Sequence, residues 1–99
     1  MNEKQSKSTH NGAAKSGRMI RAARGLLDWN QQDLAQKANV GLSTVRRIEN
    51  GTGPVGLATN YFAVRKACED ENIRFIDESD QPGVIAGVLL IDPDLRSDS

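Results

Sequence analysis

Two short amphipathic segments joined by a tight turn constrain the fold of this chain more than any other feature. The spacing of apolar residues predicts helices over about 31–38 and 42–49, and Asn30 is a natural N-cap for the first. This spacing turns inward Leu34, Ala35, Ala38, Val45 and Ile48. Asn39 stands where the turn requires a left-handed residue, which asparagine tolerates, and Val40 closes the turn with an apolar side chain.

The second of these helices begins weakly and ends sharply. Gly41 is its N-cap, and glycine caps a helix less well than serine does. Asn50 and Gly51 end it, because the Thr-Gly-Pro sequence that follows prevents continuation. Arg46 and Arg47 cannot enter the core, so they must point toward solvent or a partner.

The rest of the chain predicts a mainly α fold with a short β element. Ser16 is an N-cap for a first helix over about 17–27, and a fourth helix covers about 57–71. The period then changes, and two strands are expected at 73–77 and 87–91. The residues expected to face inward are Met19, Ile20, Ala23, Leu26 and Leu27 in the first helix, and Leu57, Tyr61, Val64, Ala67 and Cys68 in the fourth.

Charge and periodicity divide the chain into three parts. Residues 1–66 hold eleven Lys and Arg against four acids, a net charge of +7, whereas residues 67–99 hold two against nine, a net charge of −7. The polar, aperiodic segment 1–15 predicts a disordered basic tail. A helical domain over 16–72 and a C-terminal β element with an acidic end over 73–99 complete the predicted organisation.

A set of residues between positions 29 and 51 carries a family resemblance. The matching residues are Trp29, Gln31, Leu34, Ala35, Val40, Thr44, Val45, Ile48, Glu49 and Gly51. With them the chain resembles the XRE (phage repressor and Cro-like) helix-turn-helix family over about 18–70. It departs from the usual pattern at Asn30, Asn39 and Gly41, and none of these changes removes the fold.

The resemblance implies a lambda-repressor-like domain of four or five helices and a sequence-specific DNA-binding transcriptional regulator. Such a protein, here a repressor, would bind a palindromic operator as a homodimer, with the helix at 42–49 in a major groove about 12 Å wide. The DNA-binding residues that it implies are Gln31, Leu42, Ser43, Thr44, Arg46, Arg47, Asn50 and Thr52.

These residues would have different roles by their position in the family pattern. Gln31 would bind a phosphate and brace the recognition helix, while the first three residues of that helix would approach base edges. Arg46 and Arg47 would contact a guanine edge or flanking phosphates. Asn50 and Thr52 would contact the DNA backbone. Glu49 and Trp29 are expected to be structural, through pairing within the domain and through packing.

The two C-terminal strands are too apolar to lie exposed, and two strands alone are only marginally stable. They could fold back on the helices of their own chain or pair with the same strands of a second subunit. The second arrangement is favoured, because edge strands seek partners and the family commonly acts as dimers. This element is therefore expected to mediate dimerisation.

We expect neither an enzymatic activity nor a bound cofactor or metal ion. The chain lacks a recognisable catalytic arrangement: its one histidine, His10, lies in the tail, and its one cysteine, Cys68, has helical core spacing. The glycines of 51–56 superficially suggest a phosphate-binding loop, but they follow a helix and lack the required Lys-Ser/Thr.

The alternative function is an antitoxin whose acidic C-terminal part binds a basic protein toxin, since members of the family do both. A cytoplasmic location is expected for either function. The longest apolar run, 84–91, is far short of the roughly 20 residues of a membrane helix. The first residues also lack the apolar core of a secretory signal.

Overall fold

Five helices and one β-hairpin form the described chain, residues 2–51 and 58–96, in this computed structural model. In chain order the elements are α1 (Asn2–Leu27), α2 (Gln31–Ala38), α3 (Leu42–Asn50), α4 (Ala58–Glu69), β1 (Ile73–Ile76), β2 (Gly87–Leu90) and the short α5 (Pro93–Arg96). The predicted mainly α fold with a C-terminal two-stranded β element is confirmed. Leu57 and Thr52, named above, lie outside the described residues.

The first helix is longer than expected. It begins at Asn2 rather than after Ser16, so the expected N-cap at Ser16 is not used. Half of residues 2–15 are Ala, Lys, Glu or Gln, which have high helix propensity. Once the packed part of α1 has nucleated, each added residue costs little, so the helix continues toward the N-terminus.

The ends of α2 and α3 follow the sequence closely. The Asn30 side chain accepts a bond from the Asp33 amide at 2.7 Å, and the Asp33 carboxylate accepts one from the Asn30 amide at 2.9 Å. This reciprocal capping box fixes the start of α2. Asn39 adopts the expected left-handed conformation with φ 58°, as does Gly51, which ends α3 with φ 69°. Gly41 caps α3 without a side-chain hydrogen bond.

One core joins the helices to the hairpin. Its buried side chains are Met19, Ile20, Ala23, Leu34, Ala35, Val45, Ile48, Val64, Ala67, Cys68, Ile73 and Phe75. Leu26 was expected among them but is 46% exposed. Trp29 packs against the core while half-buried, as its expected structural role requires.

The two strands pair with each other, antiparallel, with Ile73 opposite Leu90 and Phe75 opposite Val88. They fold back on α1 and α4 of their own chain, which was the less favoured of the two expectations. Pairing within the chain needs only the short connection between consecutive antiparallel strands. Ile73 and Phe75 are buried together with the helices, so the hairpin and the helices share one core.

Candidate nucleic-acid interface

The outer face of α3 is polar, basic and exposed. Ser43, Arg46, Arg47 and Asn50 are all exposed, and their spacing of three, four and seven residues places them on one side of the helix. The opposite side carries Val45 and Ile48 into the core. The only acid of α3 is Glu49, which is buried, so no carboxylate weakens the positive charge of the outer face.

The N-terminus of α3 brings two hydroxyl groups to the start of this face. A methyl group built on Gly41 would lie 3.9 Å from both the Ser43 and the Thr44 hydroxyl oxygens, so both oxygens stand at the first turn. Backbone N–H groups in a first turn have no partner within the helix and give it a partial positive charge. Leu42 beside them is half-buried and packs partly against the core, so it offers less surface than Ser43.

The buried carboxylate of Glu49 ties three helices together. Arg24 of α1 donates from Nε to Oε2 at 2.6 Å and from Nη2 to Oε1 at 2.8 Å, a bidentate pair. Gln31 of α2 donates from Nε2 to Oε1 at 3.0 Å. Hydrogen bonding to Glu49 raises the pKa of Arg24 above its ordinary value, so the guanidinium stays charged. Glu49 pairs within the domain as expected, and its carboxylate also accepts the bond from Gln31.

The C-terminus of α3 is also held by its backbone. Arg21 of α1 donates from Nη1 to the Glu49 carbonyl at 2.7 Å. A Cβ on Gly17 would lie 2.5 Å from the carbonyl oxygens of both Ile48 and Glu49, so only glycine permits this approach of α1 to α3. Sequence reasoning missed both contacts, although a glycine inside an amphipathic helix is itself a signal of close packing.

Most of the expected site residues therefore lie on α3 or beside it. Six of them share α3, and Gln31 stands at the start of α2 next to the buried carboxylate. Thr52 lies outside the described residues. No group of three or more His, Cys, Asp or Glu in the described chain could hold a metal ion, and none of its helices is long and apolar enough to cross a membrane.

A family model described as Helix-turn-helix matches residues 20–59, the span that holds α2, the Asn39–Gly41 turn and α3. No curated protein and no solved structure matches the chain. The capped helices, the left-handed turn and the exposed basic face agree with that match. Residues 20–59 thus match a helix-turn-helix domain of the XRE type, a kind of domain that binds DNA in transcriptional regulators.

Proposed function

We propose that this chain is a sequence-specific transcriptional repressor that binds a palindromic operator as a homodimer, with α3 as the recognition helix. The observation that carries the proposal is the exposed, acid-free basic face of α3, held rigidly by the buried Glu49. A recognition helix needs side chains free to meet base edges on one side and a fixed attachment on the other. The outer face and the Glu49 contacts supply these two properties.

The proposed base-reading residues stand in the first half of α3. Ser43 and Thr44 carry hydroxyls that can donate to or accept from base edges in the major groove. Leu42, where it is exposed, favours the methyl group of a thymine. Arg46 and Arg47, three and four residues after Ser43, reach a guanine edge or the phosphates beside the groove.

The proposed phosphate contacts flank the recognition helix. The Gln31 amide gives one N–H to Glu49, and its nitrogen carries a second N–H that can bind a phosphate oxygen. Asn50 is exposed at the end of α3, and Thr52, outside the described residues, follows it. Contacts of this kind orient a protein on the duplex without reading its sequence.

A homodimer supplies the specificity that one such domain lacks. One recognition helix reads a few base pairs, which occur far too often in a genome to mark a single site. Two copies related by a two-fold axis present two α3 helices about 34 Å apart, one DNA turn, and so read a palindrome. A dimer seated on its operator excludes other proteins from that DNA, which is sufficient for repression.

The antitoxin alternative has weaker support. An antitoxin that wraps its toxin uses an extended tail, whereas residues 73–76 and 87–90 here form a hairpin packed on their own helices. Two of the acids expected to grip a basic partner, Glu69 and Asp70, already pair with Arg65 and Lys66 of α4. The packing of this hairpin on its own helices therefore favours the repressor.

The experiment that tests the proposal is selection of bound oligonucleotides from a random pool, followed by titration of variants. Ser43→Ala and Thr44→Ala should shift sequence preference, by about 1–3 kcal/mol for each lost base contact. Arg47→Ala should instead weaken binding to every sequence and lower the salt slope by about one. Lys66→Ala removes a similar charge from the exposed face of α4 and should change neither property.

The same titrations can refute the assignment of α3. If the alanine variants of Ser43, Thr44, Arg46 and Arg47 all bind the selected site with wild-type affinity, α3 is not the recognition helix.

A further inference from the structure

The most apolar stretch of the chain, residues 84–91, remains largely exposed. Ile85 is 76% exposed and Leu90 is 50% exposed, although the core lies directly beneath the hairpin. Exposed apolar side chains that stand close together, unlike scattered ones, mark contact sites.

A groove runs beside Ile85, between α1 and β2. It encloses about 610 Å³, with Met19 and Val88 at its base and Ala22 on its α1 side. Ile85 stands on the opposite rim. One surface thus has both a groove and a projecting side chain, Ile85. We call this surface, which includes Met19, Ala22, Ile85 and Val88, the α1–β2 surface.

This surface extends along α1 toward Leu26. Ile76 lies beside Lys15 and Met19 of α1, and it pairs with Gly87, the first residue of β2. The start of β2 is therefore level with residues 15–19 of α1. Leu90 shares the face of Val88, two residues on. Leu26, one turn after Ala22, is 46% exposed and continues the same side of α1.

The α1–β2 surface carries both signs of charge. Lys15 and Arg18 line the groove, and neither forms an ion pair within the described residues. On the other side of Lys15 lie the acids Asp77 and Asp80. In a two-fold symmetric dimer the same surface of each copy contacts the other. The cations of each copy can then meet the acids of its partner.

The groove also lies on the correct side of α1. Gly17, Arg21 and Arg24 face α3, whereas Lys15, Ala22 and Met19 border the groove. At 100° per residue these two sets occupy opposite flanks of α1. A partner in the groove therefore leaves the recognition helix free.

We propose that the α1–β2 surface is the homodimer interface, with Ile85 of each copy seated in the groove of the other. The inference rests on the proposed homodimeric repressor and adds where the two copies meet. The net formal charge of the chain is zero, so two copies do not repel each other overall.

The test compares Ile85→Asp with Phe62→Asp. Phe62 of α4 is 66% exposed and does not line the groove, so it is a matched control for adding a charge to an exposed apolar residue. Sedimentation at tens of micromolar should show dimers for the wild type and Phe62→Asp, and monomers for Ile85→Asp. Ala22→Trp, which fills the groove, should also give monomers.

DNA binding separates failure of this inference from failure of the proposed function. Ile85→Asp should bind a single half-site as the wild type does and lose at least tenfold affinity for the full palindrome. Wild-type dimerisation by both Ile85→Asp and Ala22→Trp would overturn the interface while leaving the repressor intact. A wild type that is monomeric in solution and on the palindrome would overturn both the interface and the homodimer.

Discussion

Adding one methyl group at Gly17 should displace the recognition helix. The new Cβ would lie 2.5 Å from two backbone oxygens, roughly 0.8 Å closer than an ordinary C···O contact of about 3.3 Å. Neither oxygen can rotate away, since both belong to the last turn of α3. Alanine raises helix propensity by about 0.5–1 kcal/mol, but overpacking of this kind costs about 1–3 kcal/mol or more. Gly17→Ala should therefore be destabilised by about 1–2 kcal/mol.

Gly25 provides the matched control in the same helix. It is exposed, and a Cβ there meets no atom within 4 Å, so Gly25→Ala gains the propensity term alone. Urea unfolding should place Gly25→Ala at or above the wild type in stability and Gly17→Ala below it, a gap of about 1.5–3 kcal/mol. Equal stability of the two variants would refute the close approach of α1 to α3. Operator affinity should also fall for Gly17→Ala alone, because the shift moves α3.

Two further predictions concern buried groups. In urea titration, Glu49→Ala should lower the free energy of unfolding by about 3 kcal/mol. This is near the low end for breaking a buried pair, because the Arg24 side chain keeps 20% exposure. The control Glu71→Ala, at an exposed residue, should cost under about 0.5 kcal/mol. Burial raises the pKa of the Cys68 thiol to about 12, so Ellman's reagent should modify the native chain at pH 8 at least tenfold more slowly than the urea-unfolded chain. Because the folded pKa exceeds the unfolded value of about 8.5, stability from this thiol is complete below pH 8.5 and declines as pH rises toward 12; stability that rises over this range would contradict it.

Local signals in the sequence were sufficient for the central helices. Asn30 caps α2 through its own side chain, and Asn39 and Gly51 adopt left-handed conformations at helix ends. Each of these features depends on residues within four positions along the chain, so the type of residue at that position predicts it. The face of α3 that stays exposed was predictable for the same reason, since helical spacing alone separates Val45 and Ile48 from the arginines.

Features that depend on distant residues were not predictable from the sequence in the same way. Arg24 and Glu49 are 25 positions apart, and their pairing requires the crossing of α1 and α3. Serine is a preferred N-cap residue, so Ser16 was expected to begin the helix. The helix instead continues through Ser16, because the packed turns that follow it nucleate the helix. Leu26 fits the apolar pattern of α1 and is nevertheless exposed, because the hairpin leaves that flank of the helix uncovered.

The exposed Leu26 lies on the flank of α1 that the proposed dimer contact would use. One side of α1 holds the recognition helix through Gly17, Arg21 and the Arg24–Glu49 pair. The other side borders the groove that we propose as the dimer contact. A single rigid helix would then join each interface to its α3, with no loop between them. The separation of the two recognition helices would be fixed by packing, so the spacing of operator half-sites would tolerate little variation.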